Sequence, residues 1–318
     1  MARRRRIVVT GGAGFIGSHV VDRLLGTTTD VIVVDNLSGG LESSVPTGVP
    51  LLRVDLATPE AIAALVDTHP DCVVHCAAQT SVPASFADPV LDARSNIIGS
   101  LNVITACRRA KVAQFLYVTT GGALYGRPMD VAWNEEAAVT PISPYGISKW
   151  TVELYLDVLA SAIPVTVLRL ANVYGPRQGA KGEAGVVATF IDRMQRGLPV
   201  VIDGDGEQTR DLLYVVDSVD AIEAALQREI TGAFNIGTGT GTSVHTVFQM
   251  LSRLIQYHRP PEFGPARIGD IRHSVLDPTL AGKLLSWHSR TSLASGLAAT
   301  VEHRNSPEDA GRRVAREH

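Results

Sequence analysis

Short, almost wholly apolar runs rich in β-branched residues alternate with longer helical patterns through the first half of the chain. Runs without a polar side are typical of parallel strands that are covered by helices on both faces. Such an alternation predicts βαβ units with right-handed crossovers, and therefore an α/β fold with a Rossmann-type, doubly wound parallel sheet. The predicted strands comprise residues 7–10, 31–35, 51–54, 72–76, 115–119 and 165–169.

Bulk composition excludes several classes of protein. The 318 residues are 45% hydrophobic and 19% charged, as expected of a globular protein, and no stretch approaches the ~18 apolar residues that span a bilayer. A formal net charge of −3 gives no electrostatic reason to expect nucleic acid or a membrane as a partner. The three cysteines show no metal-ligand spacing, so no metal site is predicted, and they are expected as reduced core residues of a cytoplasmic protein.

A glycine-rich turn, Thr-Gly-Gly-Ala-Gly-Phe-Ile-Gly at residues 10–17, joins the first predicted strand to a helical pattern. Glycines there permit a tight turn and close approach of the backbone to a pyrophosphate, whose charge the helix N-terminus receives. Asp35 ends the second predicted strand, where an acid hydrogen-bonds the adenosine ribose and repels a 2′-phosphate. The pattern predicts an NAD site rather than an NADP site. Its residues are Gly11, Gly14, Phe15, Ile16, Gly17, Asp35 and Asn36.

Tyr145 and Lys149 lie four residues apart in a predicted helix and so share one of its faces, about 6 Å apart. A tyrosine normally has a pKa near 10, which makes it a poor base at neutral pH. A neighbouring ammonium group favours the phenolate and lowers that pKa. The pair predicts a general base for a sugar or alcohol hydroxyl. The spacing alone is weak evidence for a catalytic pair. It becomes stronger evidence together with the NAD site that the glycine turn predicts, because NAD can accept a hydride.

The chain changes character after its first half. Glycines are frequent between residues 175 and 206, and a further strand is predicted at 233–236 before a helical pattern at 244–257. We predict an NAD-binding Rossmann domain at residues 1–171, to which strand segments near 211–240 return. Residues 172–210 and 241–303 are predicted to form a smaller, interleaved substrate lobe, and residues 304–318 a flexible tail.

These residues, with further segments, resemble the extended short-chain dehydrogenase/reductase family, in particular its NAD-dependent nucleotide-sugar epimerases and dehydratases. The similarity runs from about residue 7 to about residue 302. Within the family, the chain looks most like the bacterial UDP-glucose 4-epimerases that carry a Gly-Gly turn before a Tyr-Gly motif. The matching segments are residues 10–17, 55–56, 75–79, 96, 145 with 149, 172–177, 182–187, 204–206, 210–211 and 267–270.

The resemblance implies further roles in binding the cofactor. Asp55 and Leu56 would hold the adenine, and Lys149 would also hydrogen-bond the nicotinamide ribose. Ala77 and Ala78 would line the path of the dinucleotide. The cofactor-binding residues implied in addition are Gln79, Asn96, Thr119 and Tyr145.

The resemblance also implies a UDP-sugar site. Asn172 and Arg210 would contact the sugar nucleotide, and Arg267 its diphosphate, since two arginines give charge-assisted contacts to one diphosphate. Backbone groups near residues 185–187 and 201–203 would hold the base. Asp203 stands where some relatives place an aromatic residue, which leaves the identity of the base open. The implied substrate-binding residues are Thr120, Asn172, Gly185, Val186, Val187, Val201, Asp203, Arg210 and Arg267.

The chain departs from the family pattern at Gly121, where relatives carry a serine or threonine whose hydroxyl donates to the sugar. Thr120 is the nearest replacement, and Thr119 the next. Thr120 is therefore a candidate catalytic partner of Tyr145, with the alternative that both threonines only end a strand. Gly122 and Ala123 stand where dehydratases and decarboxylases carry acids, which argues against those reactions.

The preferred hypothesis is an NAD-dependent isomerase that inverts C4 of a UDP-hexose of the UDP-glucose/UDP-galactose type through a transient 4-keto sugar. The alternative is a UDP-glucuronate 4-epimerase, with Arg177 or Arg127 facing the carboxylate, or another nucleotide-sugar epimerase or oxidoreductase of the family. A one-way alcohol dehydrogenase and a non-catalytic NAD-binding regulator are further alternatives. Retention of both Tyr145 and Lys149 disfavours the regulator.

The helical patterns at residues 90–110 and 145–160 are apolar around too much of their circumference for helices covered on one side. Either both are deeply buried within one chain or they pack against a second copy. We expect a homodimer formed through a helix bundle, since isologous two-fold dimers are the commonest oligomers.

Overall fold

The computed structural model describes residues 5–27, 29–126, 132–159, 163–179, 185–266, 271–307 and 309. The strands are β1 Arg6–Thr10, β2 Asp30–Asp35, β3 Leu51–Arg53, β4 Cys72–His75, β5 Gln114–Thr120, β6 Val165–Leu170, β7 Asn172–Tyr174, β8 Val201–Asp203, β9 Thr209–Tyr214, β10 Gly232–Ile236, β11 Gly241–Ser243, β12 Glu262–Gly264 and β13 His273–Ser274. The α-helices are α1 Phe15–Leu25, α2 Glu60–Asp67, α3 Val82–Ala87, α4 Pro89–Ala93, α5 Gly99–Ala110, α6 Pro144–Leu159, α7 Val186–Gln195, α8 Val215–Arg228, α9 Val244–Ile255, α10 Thr279–Leu284 and α11 Leu293–Arg304.

The main sheet has seven strands in the order β10-β6-β5-β4-β1-β2-β3, and every pairing in it is parallel. Alternate residues of the strands enter two separate cores, as the period of two in a strand requires. The side chains of Val9, Val74 and Leu116 pack with those of α1 and α8 on one face. On the other face, Val73 and Phe115 pack with α2, α5 and α6. The predicted Rossmann-type α/β fold is confirmed.

The predicted helix at residues 90–110 is not one regular helix. A π-helical turn at Arg94–Ile98 separates α4 from α5. Such turns insert one residue into a helix and are often found at functional sites. The turn contains Asn96, which is 1% exposed and points inward to the backbone of Gln79. The apolar periodicity of the sequence does not distinguish this π-helical turn from regular helix.

The smaller lobe is built on two short sheets. One has the order β11-β9-β13 with β7 also paired to β9, and the other joins β12 to β8. Its core combines Phe190 and Ile191 of α7, Leu251 of α9 and Leu297 of α11 with Ile202 of β8. The predicted tail at residues 304–318 falls mostly outside the described residues. Within the described part of the chain, no helix has the length and apolar character needed to cross a membrane.

Candidate active site

The glycine turn lies where the strand order of the main sheet reverses, between the adjacent strands β1 and β4. In doubly wound sheets, ligands bind at this point, beyond the carboxyl ends of the strands. Gly11 has a φ of +69°, and a Cβ added there would lie 2.6 Å from the backbone nitrogen of Ala77. A Cβ at Gly17 would lie 2.1 Å from the carbonyl oxygen of Gly11. Glycine is therefore required at both positions. At Gly11 it allows the turn to approach the loop after β4, and at Gly17 it allows α1 to approach the turn.

The N-terminus of α1 has no side-chain cap and no acidic residue in its first turn, and Gly14 occupies the N-cap position. The first N–H groups of a helix lack partners within it, so this terminus can receive the negative charge of a pyrophosphate. Phe15 and Ile16 form the first turn and are half-buried. The glycine cradle and the open helix terminus therefore fit a dinucleotide.

Asp35 is tied to the same turn. It ends β2, and its carboxylate accepts hydrogen bonds from the backbone nitrogens of Ala13 (3.0 Å) and Leu37 (2.8 Å). A carboxylate has about four lone-pair sites, so sites remain for ribose hydroxyl groups. Asn36 is exposed and caps the turn by accepting a bond from the Ser38 nitrogen.

The residues implied for adenine lie just after the next strand of the sheet. Asp55 and Leu56 follow β3, which pairs with β2 so that Arg53 lies opposite Asp35. Asp55 is exposed, whereas Leu56 is buried in the core. Their placement near Asp35 agrees with an adenosine site at this end of the sheet.

The loop after β4 carries the remaining implied cofactor residues, Ala77, Ala78 and Gln79. Asn96 accepts a hydrogen bond from the Gln79 nitrogen (2.8 Å) and donates to the Gln79 oxygen (2.9 Å). Asn96 also donates to the buried carboxylate of Asp92 (3.0 Å). Asn96 thus holds the loop in place through both backbone groups of Gln79. Thr119, on the neighbouring strand β5, is buried.

Tyr145 and Lys149 stand on the first two turns of α6. The Tyr145 nitrogen donates to the Ser85 hydroxyl (3.1 Å). Lys149 is only 3% exposed, and its ammonium group donates to the Val118 carbonyl of β5 (3.3 Å) and lies 4.5 Å from the centre of the Tyr117 ring. The ammonium group is therefore fixed against the strand that ends at Thr120.

Burial lowers the pKa of Lys149 from 10.5 to about 8, because it penalises the charged form. The negative charge of Glu153 is the largest influence in the opposite direction. The side chain consequently remains mostly protonated at pH 7 in spite of its burial. A buried cation on the same helix face as Tyr145 can favour a phenolate there.

The turn that follows β5 explains the glycine at position 121. A Cβ added to Gly121 would lie 2.5 Å from Cδ1 and 2.8 Å from Cδ2 of Leu276, which is fully buried. Leu276 therefore occupies the space that a serine or threonine would need. The Thr120 hydroxyl, one residue earlier, accepts a hydrogen bond from the Ala123 nitrogen (3.2 Å). Thr120 thus lies at the strand end, while its catalytic role stays a prediction.

We expect Gly121→Ser to lower the free energy of unfolding by about 1–3 kcal/mol, the usual cost of overpacking a core. Gly39→Ser is the matched control, because a Cβ there meets nothing within 4 Å. Combining Gly121→Ser with Leu276→Ala should lower the free energy of unfolding by less than the sum of the two single changes, because the smaller alanine makes room for the serine side chain. Urea unfolding of the four proteins of the cycle measures this coupling, and strict additivity would contradict the steric explanation.

The smaller lobe contributes the implied substrate residues. Asn172 is exposed at the start of β7, and its side-chain oxygen lies 3.2 Å from the position of a Cβ at Gly122. Arg210 of β9 donates to the carbonyls of Ile271 (2.6 Å) and Thr209 (2.8 Å). Asn172 therefore lies beside the turn that follows β5, whereas the Arg210 side chain contacts the backbone at residues 209 and 271.

The proposed base-binding segments lie further out in the lobe. Gly185 is the N-cap of α7, whose N-terminus has no side-chain cap, so its first N–H groups have no partner within the helix. The Val187 side chain is in the core. Val201 and Asp203 bound β8, with Val201 exposed. Arg267 and Arg127 lie outside the described residues. Arg177, the other arginine considered for a uronate carboxylate, is paired with Asp22 of α1 at 2.6 Å.

Three residues of the cleft were not predicted from the sequence as site residues. Ser274 of β13 is buried, and its hydroxyl lies 3.7 Å from the position of a Cβ at Gly122. Leu276 fills the space beside Gly121. Asp211 accepts hydrogen bonds from the backbone nitrogens of Thr238 (2.9 Å), Gly239 (3.2 Å) and Leu276 (3.3 Å). Asp211 therefore holds Leu276 in place. Local sequence patterns do not predict contacts between segments so far apart in the chain.

The fold and the site define a Rossmann-type enzyme in which a Tyr/Lys pair stands beside a dinucleotide cleft. The chain belongs to the NAD dependent epimerase/dehydratase family, whose family model matches residues 7–237. It is 38% identical to the UDP-glucose 4-epimerase of Mycolicibacterium smegmatis over 305 residues, which cover 93% of this chain and 97% of that protein.

Solved structures give the same result. The UDP-glucose 4-epimerase of Thermotoga maritima with UDP-glucose matches with a TM-score of 0.91 and 44% identity, covering 98% of this chain and 99% of that one. The UDP-glucose 4-epimerase of Thermus thermophilus in complex with NAD matches with a TM-score of 0.89 and 41% identity, covering 95% and 99%. The resemblance carried by the motifs of the sequence is thereby confirmed at the level of the family.

Proposed function

We propose that the protein is an NAD-dependent epimerase that inverts C4 of a UDP-hexose of the UDP-glucose/UDP-galactose type. The single observation that carries this proposal is the placement of Tyr145 and the buried Lys149 at the cleft beside the glycine turn. The similarity to UDP-glucose 4-epimerases over almost the whole chain supports the choice of substrate.

In the proposed mechanism, Tyr145 acts as the base that takes the proton of the sugar 4-hydroxyl. The Lys149 ammonium group stabilises the phenolate by its charge. NAD, when bound by the glycine turn and Asp35, supplies the hydride acceptor and donor for C4. Tyr145 then returns its proton to the sugar oxygen after the sugar has turned within the site. Thr120 is the candidate that holds this oxygen during both transfers.

On the substrate side, we assign Asn172, Arg210 and Arg267 to the sugar nucleotide, with the α7 N-terminus and β8 at the base. We assign residues 1–171 to a cofactor domain, with segments near 211–240, and residues 172–210 and 241–303 to a substrate lobe. The residues around Gly122 support an epimerase over a dehydratase. Asn172 and Ser274 approach this glycine, and neither is an acid that could assist elimination of water.

Incubation with UDP-glucose, UDP-N-acetylglucosamine and UDP-glucuronate, followed by chromatographic separation of the products, tests the proposal. We expect the 4-epimer of UDP-glucose to form without net consumption of added NAD. Formation of no 4-epimer from any of the three would refute the epimerase. Release of stoichiometric NADH would indicate a one-way dehydrogenase instead.

A UDP-glucuronate 4-epimerase, or another nucleotide-sugar epimerase or oxidoreductase, remains the second candidate. Its support is the membership of the family, whose other members include UDP-glucuronic acid decarboxylases at 31% identity to this chain. The ion pair between Arg177 and Asp22 weighs against Arg177 as the partner of a substrate carboxylate. Preference for UDP-glucuronate in the incubation above would favour this candidate.

We further propose a cytoplasmic homodimer. Its support is an apolar surface formed by Val90 and Leu91 of α4, Ile98, and Leu154 and Val158 of α6, of which Val90 and Val158 are each 75% exposed. Single exposed apolar residues are common, whereas several on adjacent helices mark an interface. The three free cysteines are compatible with a reducing compartment.

Light scattering coupled to gel filtration should give about twice the 33.9 kDa of one chain for the unmodified protein. Leu154→Glu combined with Val158→Glu should shift the mass to that of one chain, because two charges per subunit would be buried in the interface. Leu254→Glu on α9, an exposed leucine away from this surface, is the control and should leave the dimer intact. A monomeric unmodified protein would contradict the proposal.

A further inference from the structure

A third ionisable residue lies on the helix face that carries Tyr145 and Lys149, again four residues further along the chain. Glu153 lies one further turn along α6 and is 4% exposed. Long side chains in a helix lean toward its N-terminus, over the preceding turn. This tendency directs the Glu153 carboxylate toward the turn of Lys149, and the two charges influence each other.

The Glu153 carboxylate is held from the neighbouring strand by Arg169 of β6. The Nε and one terminal nitrogen of Arg169 donate to Oε2 of Glu153 at 3.0 and 2.7 Å. Arg169 is 5% exposed, and its guanidinium lies 5.6 Å from the centre of the Trp150 ring and 5.7 Å from that of Tyr125. Such a two-pronged contact fixes the carboxylate in one orientation.

The same arginine reaches the turn after β5. Its other terminal nitrogen donates to the Tyr125 hydroxyl (3.0 Å), which donates to Asn235 of β10 (2.8 Å). Tyr125 ends the turn that begins after Thr120. The Glu153–Arg169 pair thus links the helix of Lys149 to the turn beside Thr120.

A buried ion pair is poor evidence for stability alone, because desolvation of both charges offsets their attraction. Here, however, the pair lies beside a third buried charge. The groups around Lys149 that influence it, are influenced by it or contact it are Glu153 of α6, Asp92 of α4, His75 of β4, Cys76 directly after β4, and Tyr117 of β5.

Most of these groups are neutral at pH 7. Burial lowers the pKa of His75 to about 3 and raises that of the Cys76 thiol to about 12. The Asp92 carboxylate is already engaged by Gln79 (2.8 Å) and Asn96 (3.0 Å). Glu153 lies one turn from Lys149 on the same helix. Burial raises the pKa of its carboxyl group, and the charge and hydrogen bonds of Arg169 act in the opposite direction and favour the ionised form.

We propose that Glu153 is a positioning residue for the Tyr145/Lys149 pair, in which its carboxylate, fixed by Arg169, keeps the buried Lys149 ammonium group charged and oriented. The effect of Glu153 on turnover rests on the proposed function. The charge state of Lys149 can nevertheless be measured without any reaction.

The test is an NMR titration of the purified protein labelled with ¹³Cε-lysine. The chain contains four lysines, and Lys149→Met assigns the signal of Lys149. In the unmodified protein, Lys149 should titrate near pH 8. Glu153→Gln should lower the midpoint by about one pH unit, because the opposite charge is lost. Glu153→Asp, which keeps the charge, should restore most of the shift.

Two further variants separate this role from a purely structural one. Glu153→Gln combined with Arg169→Met removes both charges of the pair and should still lower the Lys149 midpoint. Asp309→Asn, which breaks the buried pair with Arg304 (3.1 Å) at the end of α11, should leave that midpoint unchanged. In folded variants with epimerase activity, the alkaline limb of the pH–rate profile should move with the titration.

An unchanged Lys149 midpoint in the double variant would overturn the proposal, because any shift in Glu153→Gln would then come from the unpaired arginine. A shift of equal size in Asp309→Asn would overturn it too, since it would reflect general loosening. Absence of epimerase activity would refute the proposed function and leave the titration valid. The two failures are therefore distinguishable.

Discussion

Replacing Tyr145 by phenylalanine is expected to lower turnover by roughly 10²–10⁴-fold, the range that a positioned general base contributes. The substitution removes one oxygen atom and keeps the ring, so the first turn of α6 should remain packed. Its backbone nitrogen still donates to the Ser85 hydroxyl (3.1 Å), because that bond does not involve the phenol. Binding of the sugar nucleotide should change little, so the loss should fall on kcat rather than on KM.

Tyr155→Phe provides the matched control on the same helix. Tyr155 is 41% exposed, so loss of its hydroxyl should leave kcat within about twofold of the unmodified protein. Initial rates of epimerisation for the three proteins, at saturating NAD and several substrate concentrations, measure the effect. Unchanged turnover in Tyr145→Phe would exclude Tyr145 as the base.

Replacing Lys149 by methionine is expected to inactivate the protein and at the same time to stabilise it. The pKa of Lys149 falls from 10.5 to about 8 because burial penalises the ammonium form. This difference corresponds to a cost of about 3 kcal/mol at pH 7. Methionine fills a similar volume without a charge, so the free energy of unfolding should rise by up to about 3 kcal/mol. Turnover should fall by roughly 10²-fold or more, since the cation that favours the phenolate is gone.

The pH dependence gives this prediction a second readout. Between pH 8 and 10.5, the unfolded chain holds the Lys149 proton and the folded protein has lost it. The stability of the unmodified protein should therefore rise with pH in this window relative to Lys149→Met. The advantage of the variant should be fully present below pH 8 and vanish above pH 10.5.

Urea unfolding of nucleotide-free protein at pH 7 and pH 10 measures both effects. Lys283→Met, at an exposed position of α10, is the control and should change stability by less than about 0.5 kcal/mol. A Lys149→Met protein that is less stable than the unmodified one at pH 7 would show that the hydrogen bond to Val118 and the contact with Tyr117 outweigh the cost of burying the charge.

The sheet could be predicted almost completely from local patterns. Every predicted strand of the main sheet begins and ends within one residue of the observed strand. The agreement is close because strands buried on both faces have continuous apolar runs in the sequence. The glycine turn and Asp35 could be predicted for the same reason, since both follow directly from adjacent strands. The helix at residues 90–110 was predicted less well, because its apolar pattern does not indicate the π-helical turn at Arg94–Ile98.

Local patterns are enough to predict the Rossmann-type sheet, the turn with Asp35 and the shared helix face of Tyr145 and Lys149, because these depend on periodicity and on neighbours a few residues apart. The reason why position 121 is glycine, and the identity of the charges around Lys149, became visible only in the folded protein. Leu276 and Arg169 reach Gly121 and Glu153 from strands and loops that are distant in the chain. Packing between such segments depends on the folded arrangement of the whole sheet, and no local pattern encodes it.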